Sequence, residues 1–206
     1  MSRSTSCLVL ALAALGLFAL LASAYGQDPV AAWDESVARW VATHLPVAVE
    51  WLARPFSWLG GWIGVTLLTV AAALVLLRDR AWLDVGFLVT AVLGSQITVA
   101  LLKLWFDRPR PALDPAVALP SSASLPSGHA TSGAACLGAV AILTAERLPS
   151  QRARAWLWSL AVAAGLAVGA SRVALGVHYV SDVIAGWCLG AAWLATCLLV
   201  RDAVRT

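Results

Sequence analysis

Six apolar runs of near membrane-spanning length, divided by short polar breaks, dominate this chain. They cover roughly Cys7–Ala24, Trp58–Leu77, Trp82–Trp105, His129–Ala145, Ala155–Ala170 and His178–Val200. A helix needs about 20 apolar residues to cross a bilayer, and it satisfies its own backbone where no water can. At ~1.5 Å per residue, the run from Trp82 to Trp105 reaches ~36 Å, enough to span with some tilt. Of 206 residues 61% are hydrophobic and only 12% are charged, which excludes an ordinary soluble domain. The expected fold class is all-α: a polytopic membrane protein, a six-transmembrane-helix bundle, built as one integral-membrane domain over residues 1–206.

The first run has two readings. Arg3, the apolar stretch and Ala22-Ser23-Ala24 match a cleavable signal peptide, and they also match a short first membrane helix. The stretch from Asp28 to Pro55 carries scattered charge and several tryptophans. Its apolar positions recur at helical spacing, so it is expected to lie as an amphipathic segment at the membrane surface. With the N-terminus in the cytoplasm, eight arginines fall on that side: Arg3, Arg78, Arg80, Arg147, Arg152, Arg154, Arg201 and Arg205. Outside the polar clusters, only Arg39 and Arg54 fall on the other. The positive-inside rule favours this orientation.

Three polar clusters interrupt the apolar pattern: Lys103 through Arg108, Arg110 and Pro111; Pro126-Ser127-Gly128-His129; and Ser171-Arg172 followed by His178 and Asp182. They hold the only lysine and two of the three histidines. Ionisable groups at the ends of membrane segments are costly and usually functional. The expected topology puts all three on the extracytoplasmic face.

Their chemistry suits a phosphate. Lys103 supplies a point charge, and Arg110 and Arg172 supply forked donors. Ser127, Gly128 and His129 open a helix whose free N–H groups and dipole attract an anion. Gly128 would let a ligand approach the backbone, and the Ser127 hydroxyl could either cap the helix or bind a phosphate oxygen. His178 and Asp182 are four apart, so they share one helix face. Asp182 can accept the Nδ1–H of His178 and leave Nε2 free as a nucleophile. His129 is placed to protonate a leaving oxygen and then activate water. The cationic side chains would carry the electrostatic load that Mg²⁺ carries elsewhere.

In order and spacing the clusters resemble the three signature motifs of the type 2 phosphatidic acid phosphatase superfamily. Lys103, six residues and Arg110-Pro111 match the first. Pro126–His129 match the second; Ser171-Arg172, His178 and Asp182 match the third. One small departure is Val180, where many members have proline. The resemblance implies His178 as a nucleophile that becomes phosphohistidine, Asp182 as its partner and His129 as acid and base. It implies Lys103, Arg110, Ser127, Gly128 and Arg172 as phosphate ligands. Membrane members similar to this chain act on undecaprenyl diphosphate, phosphatidylglycerophosphate and phosphatidic acid.

The expected function is metal-independent hydrolysis of a membrane lipid phosphate or diphosphate, with undecaprenyl diphosphate favoured, at the extracytoplasmic face of the cytoplasmic membrane. The alternatives are a phosphotransferase using a lipid or sugar acceptor, and a non-catalytic lipid-phosphate binding or transport protein. A haloperoxidase reading is weak, since such relatives are soluble. No cofactor, metal ion, nucleic acid or obligate protein partner is expected; the partners are the lipid phosphate and the phospholipid bilayer. The four cysteines lie in or beside apolar runs, so no structural disulfide is expected. Arg108 lies outside the six-residue register and reads as a loop or headgroup contact. His44 reads as interfacial, and the eleven tryptophans mostly as interface anchors.

Overall fold

Each apolar run becomes helix, and the polar breaks set where the helices end. The computed structural model describes residues 3–113 and 115–205; Met1, Ser2, Asp114 and Thr206, which the single-domain reading includes, lie outside them. The described residues form eight helices: α1 (Arg3–Ala24), α2 (Val30–His44), α3 (Val47–Gly60), α4 (Trp62–Arg78), α5 (Trp82–Trp105), α6 (Gly128–Ala145), α7 (Gln151–Ala174) and α8 (Val180–Arg205). Helices α1, α5, α6, α7 and α8 are each long and apolar enough to cross a membrane.

The second span differs from expectation. The Asp28–Pro55 stretch is two helices, and the second of them leads into the span. Helix α4 has 17 residues, or ~26 Å, short of a ~30 Å hydrocarbon core. It reaches spanning length only with α3, to which it is joined through a 49° bend. Gly61 forms the corner in an extended conformation. A Cβ on the neighbouring Gly60 would stand 2.2 Å from Val168 Cγ1, so this close approach to α7 requires glycine. In α2, exposed His44 stacks on Trp40 with centroids 5.4 Å apart.

In the full chain the first apolar run forms a helix that packs into the bundle. Helix α1 packs along α8. Phe18 is buried with Val99, Leu125, Ala185 and Leu189, and it meets Phe106 edge-on at 6.2 Å. Arg3 pairs with Glu146 at 2.9 Å and Asp202 at 3.2 Å.

These contacts belong to an ion network at one end of the bundle. Buried Arg201 donates to Asp84 at 2.9 Å and to Glu146 at 2.6 and 3.0 Å. Burial opposes the charge on Glu146, but hydrogen bonds from Arg201 and Arg3 outweigh it and hold its carboxyl down at about 2. The network joins α1, α5, α6 and α8 where α5 and α8 carry Asp84 and Arg201.

The opposite end gathers the C-terminus of α5, the N-terminus of α6, the C-terminus of α7 and the N-terminus of α8. Small residues bring α6 and α8 together: a Cβ on Gly186 would lie 2.7 Å from the Ser127 carbonyl oxygen and 2.9 Å from Ala130 Cβ. Trp51, Trp62, Trp82 and Trp156 are exposed on the outside of the bundle. Trp187 and Trp193 are different: each donates its indole N–H at 3.1 Å to a carbonyl of a neighbouring helix, Gly165 and Thr90 respectively.

Candidate active site

Helix ends and one folded-back loop assemble the site. Lys103 stands in the last turn of α5, and its ammonium donates to the Ala123 carbonyl. The loop from Phe106 to Pro126 then returns over the bundle. Its two sides are tied by the Ser124 N–H, which donates to the Arg108 carbonyl at 2.8 Å. Arg110 is held from three directions, donating to the Ser122 carbonyl at 3.0 Å, the Val177 carbonyl at 2.8 Å and His178 Nε2 at 3.1 Å. Arg172, buried in the last turn of α7, donates to Ser57 Oγ of α3.

The second and third clusters are joined through backbone: the Ser127 N–H donates to the Asp182 carbonyl at 3.1 Å. Ser127 occupies the N-cap position of α6, but its side chain caps nothing. Ser127 Oγ and Arg172 Nε are both buried without a hydrogen-bond partner. Such an atom costs about 1–3 kcal/mol unless something accepts or donates to it. A phosphate oxygen fits both, since a hydroxyl and a guanidinium N–H can each donate to it. A Cβ on Gly128 would meet only Val99, at an ordinary 3.5 Å, so packing within the protein does not demand glycine there.

The eight expected site residues therefore share one end of the bundle. Arg172, His178, Arg110 and Lys103 all lie within Coulombic reach of His129, and Arg110, Asp182 and Arg172 within reach of Lys103. Among the described residues, no three His, Cys, Asp or Glu side chains converge as metal ligands would.

The His178–Asp182 relation is less direct than their spacing suggests. Nδ1 and Oδ2 are 3.5 Å apart, long for a hydrogen bond. Ser124 stands between them: its Oγ is 3.3 Å from His178 Nδ1 and donates to Asp182 Oδ2 at 2.6 Å. Arg110 can only donate, so His178 Nε2 accepts from it, and the ring proton sits on Nδ1 facing Ser124 and Asp182. Asp182 also accepts the Tyr179 N–H at 2.9 Å. Burial pushes His178 down to about 4; Asp182 works against this, and Arg110 and Arg172 add to it. The imidazole is thus neutral at pH 7, with a lone pair on Nε2.

The reading of Arg108 as a loop or headgroup contact is overturned. Arg108 is 5% exposed and bridges two buried carboxylates, donating to Asp182 Oδ1 at 2.6 Å and Asp34 Oδ2 at 2.8 Å. Asp34 belongs to α2, and its other oxygen accepts the Ser181 N–H at 3.0 Å. Sequence reasoning missed Arg108, Asp34, Ser124 and Ser57. Only Arg108 carried a signal, as a second arginine in a cluster already singled out.

Beside His129 a cleft of about 270 Å³ opens between the α3–α4 corner and the ends of α6 and α7. Arg54, Ser57, Trp58, Gly61, Trp62 and Leu175 line it, and Trp62 at its mouth is 76% exposed. The cleft joins the polar cluster to the apolar outer surface of the bundle.

The fold and this cluster define an integral-membrane phosphatase. The chain belongs to the PAP2 superfamily, which it matches over residues 82–205. It is 29% identical over 185 residues to phosphatidylglycerophosphatase B of Bacillus subtilis, covering 84% of this chain and 85% of that one. It is 37% identical over 140 residues to undecaprenyl-diphosphatase of Sulfolobus acidocaldarius, covering 65% of this chain and 60% of that one. Its fold matches the crystal structure of the transmembrane PAP2-type phosphatidylglycerolphosphate phosphatase of B. subtilis with a TM-score of 0.86 and 24% identity, over 99% of this chain and 98% of that one.

Proposed function

We propose that this protein hydrolyses a membrane lipid phosphate or diphosphate through a phosphohistidine, without a metal ion. The observation that carries the reading is the pair of buried donors without partners, Ser127 Oγ and Arg172 Nε, set among three cations and two imidazoles. The phosphoryl group sits among Lys103, Arg110, Arg172, Ser127 and the first turn of α6. These groups balance the charge that a divalent cation balances in other phosphoryl-transfer sites.

His178 Nε2 attacks phosphorus, the bond from phosphorus to the leaving oxygen breaks, and His129 protonates that oxygen. The Nδ1–H of His178 points toward Ser124 and Asp182, which stabilise the positive charge gained by the ring. In the second step His129 takes a proton from water, the resulting hydroxide attacks phosphorus, and the P–N bond breaks to release inorganic phosphate. A phosphotransferase would differ only in the acceptor of this second step.

A lipid substrate fits the cleft beside His129, where the leaving group would lie. The tail would leave past Trp58 and Trp62 into the bilayer, avoiding about 0.8 kcal/mol of exposure per CH₂. Undecaprenyl diphosphate is the favoured substrate, supported by the Sulfolobus acidocaldarius relative named for that activity. Phosphatidylglycerophosphate is the second reading, supported by the longer shared length with the B. subtilis relative. The arginine bias supports a site on the extracytoplasmic side of the cytoplasmic membrane. Phosphate release from a panel of these lipids, in detergent with EDTA, tests the proposal. Turnover of at least one lipid supports it; activity only on soluble esters, or only after Mg²⁺ is restored, overturns it.

A further inference from the structure

The lipid-phosphatase reading uses one carboxylate, but the site contains two. Asp34 lies on α2, 148 positions before Asp182 in numbering, and is fully buried. Arg108 spans the gap, giving Nη2 to Asp34 at 2.8 Å and Nη1 to Asp182 at 2.6 Å. Its guanidinium lies over the rings of Tyr179 and Tyr25, 4.4 and 5.1 Å from their centroids. Arg108 Nη1 also donates to Ser181 Oγ at 2.7 Å, and that hydroxyl donates to Asp34. Both Arg108 Nη atoms and all four carboxylate oxygens are engaged, which makes the bridge a connected network rather than a pair of isolated contacts.

The division of labour on Asp182 is the informative part. Oδ1 takes Arg108, whereas Oδ2 takes Ser124 and faces His178. A carboxylate gripped on one oxygen cannot rotate, so its other oxygen stays aimed at the imidazole. Arg108 alone would neutralise Asp182 and weaken its hold on the imidazolium. Asp34 on the far side supplies the compensating negative charge. We infer that Asp34 and Arg108 are positioning residues for the phosphoryl-transfer step: together they aim Asp182 at His178 and set how much negative charge His178 feels. The inference rests on His178 being the nucleophile.

The sign follows from charge. His178 faces Asp182 on α8, Arg110 in the loop and Arg172 on α7, with His129 on α6 in Coulombic reach. Lys103 on α5 belongs to the same cluster. Against this background, removing the Asp34 charge makes His178 harder to protonate, and removing the Arg108 charge makes it easier. The acid limb of kcat/KM should move down in pH for Asp34→Asn and up for Arg108→Gln, each by on the order of one pH unit. In both variants kcat should fall ~10- to 100-fold with KM little changed, as for lost outer-shell partners. The double variant removes both charges, so its limb should return toward the native position. Arg108→Lys keeps the charge without the fork, so its limb should stay near native while kcat falls.

The experiment is a pH profile of kcat/KM for the full-length protein in detergent with one fixed phosphoester, beside phosphoenzyme trapping in His178→Ala. Opposite limb shifts that cancel in the double variant support the inference. Limbs that stay in place, or move the same way, overturn it, because a purely structural bridge would lower yield and thermal stability without moving the profile. If Arg108→Gln does not fold, the direction of the Asp34→Asn limb decides alone. Phosphoenzyme formed by His178→Ala overturns both this inference and the nucleophile assignment. An inactive His178→Ala with unmoved limbs overturns this inference only.

Discussion

Arg110 Nη1 lies 3.1 Å from His178 Nε2, so in this structure a fixed cation covers the lone pair of the proposed nucleophile. Arg110 also holds the Val177 carbonyl from the same nitrogen. A bound phosphate would draw the guanidinium onto its own oxygens, since a charge-assisted bond to an anion is stronger than one to a neutral imidazole. The same side chain would thus bind substrate and uncover the attacking atom.

Changing Arg110 to alanine should therefore have two opposite effects. Turnover should fall about 10²- to 10³-fold, the usual cost of a lost transition-state donor. Carbethoxylation of His178 by diethyl pyrocarbonate should become faster, because Nε2 is no longer covered. Peptide mass spectrometry reads the second effect. A slower or unchanged modification rate would show that Arg110 does not guard the ring.

The two histidines should separate by leaving group. His178→Ala should abolish turnover and any trapped phosphoenzyme. General acid–base help is worth ~10²–10⁴-fold, and His129→Ala should lose close to that range on a lipid alcohol. With p-nitrophenolate, which leaves without protonation, the first step should be partly spared and phosphohistidine should accumulate. Rapid-quench trapping distinguishes the cases, and equal losses on both substrates would contradict the assigned role of His129.

Gly61 is where the α3–α4 corner meets the site. A Cβ there would stand 3.3 Å from His129 Nε2, a contact that forces the imidazole to shift by a few tenths of an ångström. Gly61→Ala should leave the fold intact and reduce kcat more for lipid alcohols than for p-nitrophenyl phosphate. Equal kcat on both, at native level, would show that His129 has room to spare.

The ion network at the opposite end should govern acid stability. Glu146 is held at about 2, below its ordinary value of 4.5. Its stabilising contribution is therefore present in full above pH 4.5 and lost as pH falls through 2. Glu146→Gln should be less stable than the native protein at pH 7, and the difference in thermal midpoint should narrow below pH 4.5. A constant gap across that range would remove Glu146 from the account of acid unfolding.

Orientation can be read by labelling. Single cysteines placed at Ser121 or Ser122, in the loop beside the site, should react with an impermeant thiol reagent added outside intact cells. Reaction only after the cytoplasmic side is opened would reverse the proposed topology.

What the sequence determined by itself is all but the second of the membrane helices and the polar groups at their ends. Trp82–Trp105 emerges with the boundaries read from hydropathy, because transfer of an apolar run into lipid depends only on local composition. The three gapped clusters named the groups that meet, because each cluster lies at a helix end whose position the run length already sets. Tertiary structure alone decided which of those groups touch. Arg108 looked like a solvated loop residue until Asp34, 74 positions away, came to face it. Ser124 entered between His178 and Asp182 because the loop folds back, which no spacing encodes. The α3–α4 corner at Gly60 and Gly61 is packed against Val168 and His129 of other helices. The physical reason is common to all three. The cost of burying a charge or bending a helix is local, but the contacts that offset it come from segments distant in the chain.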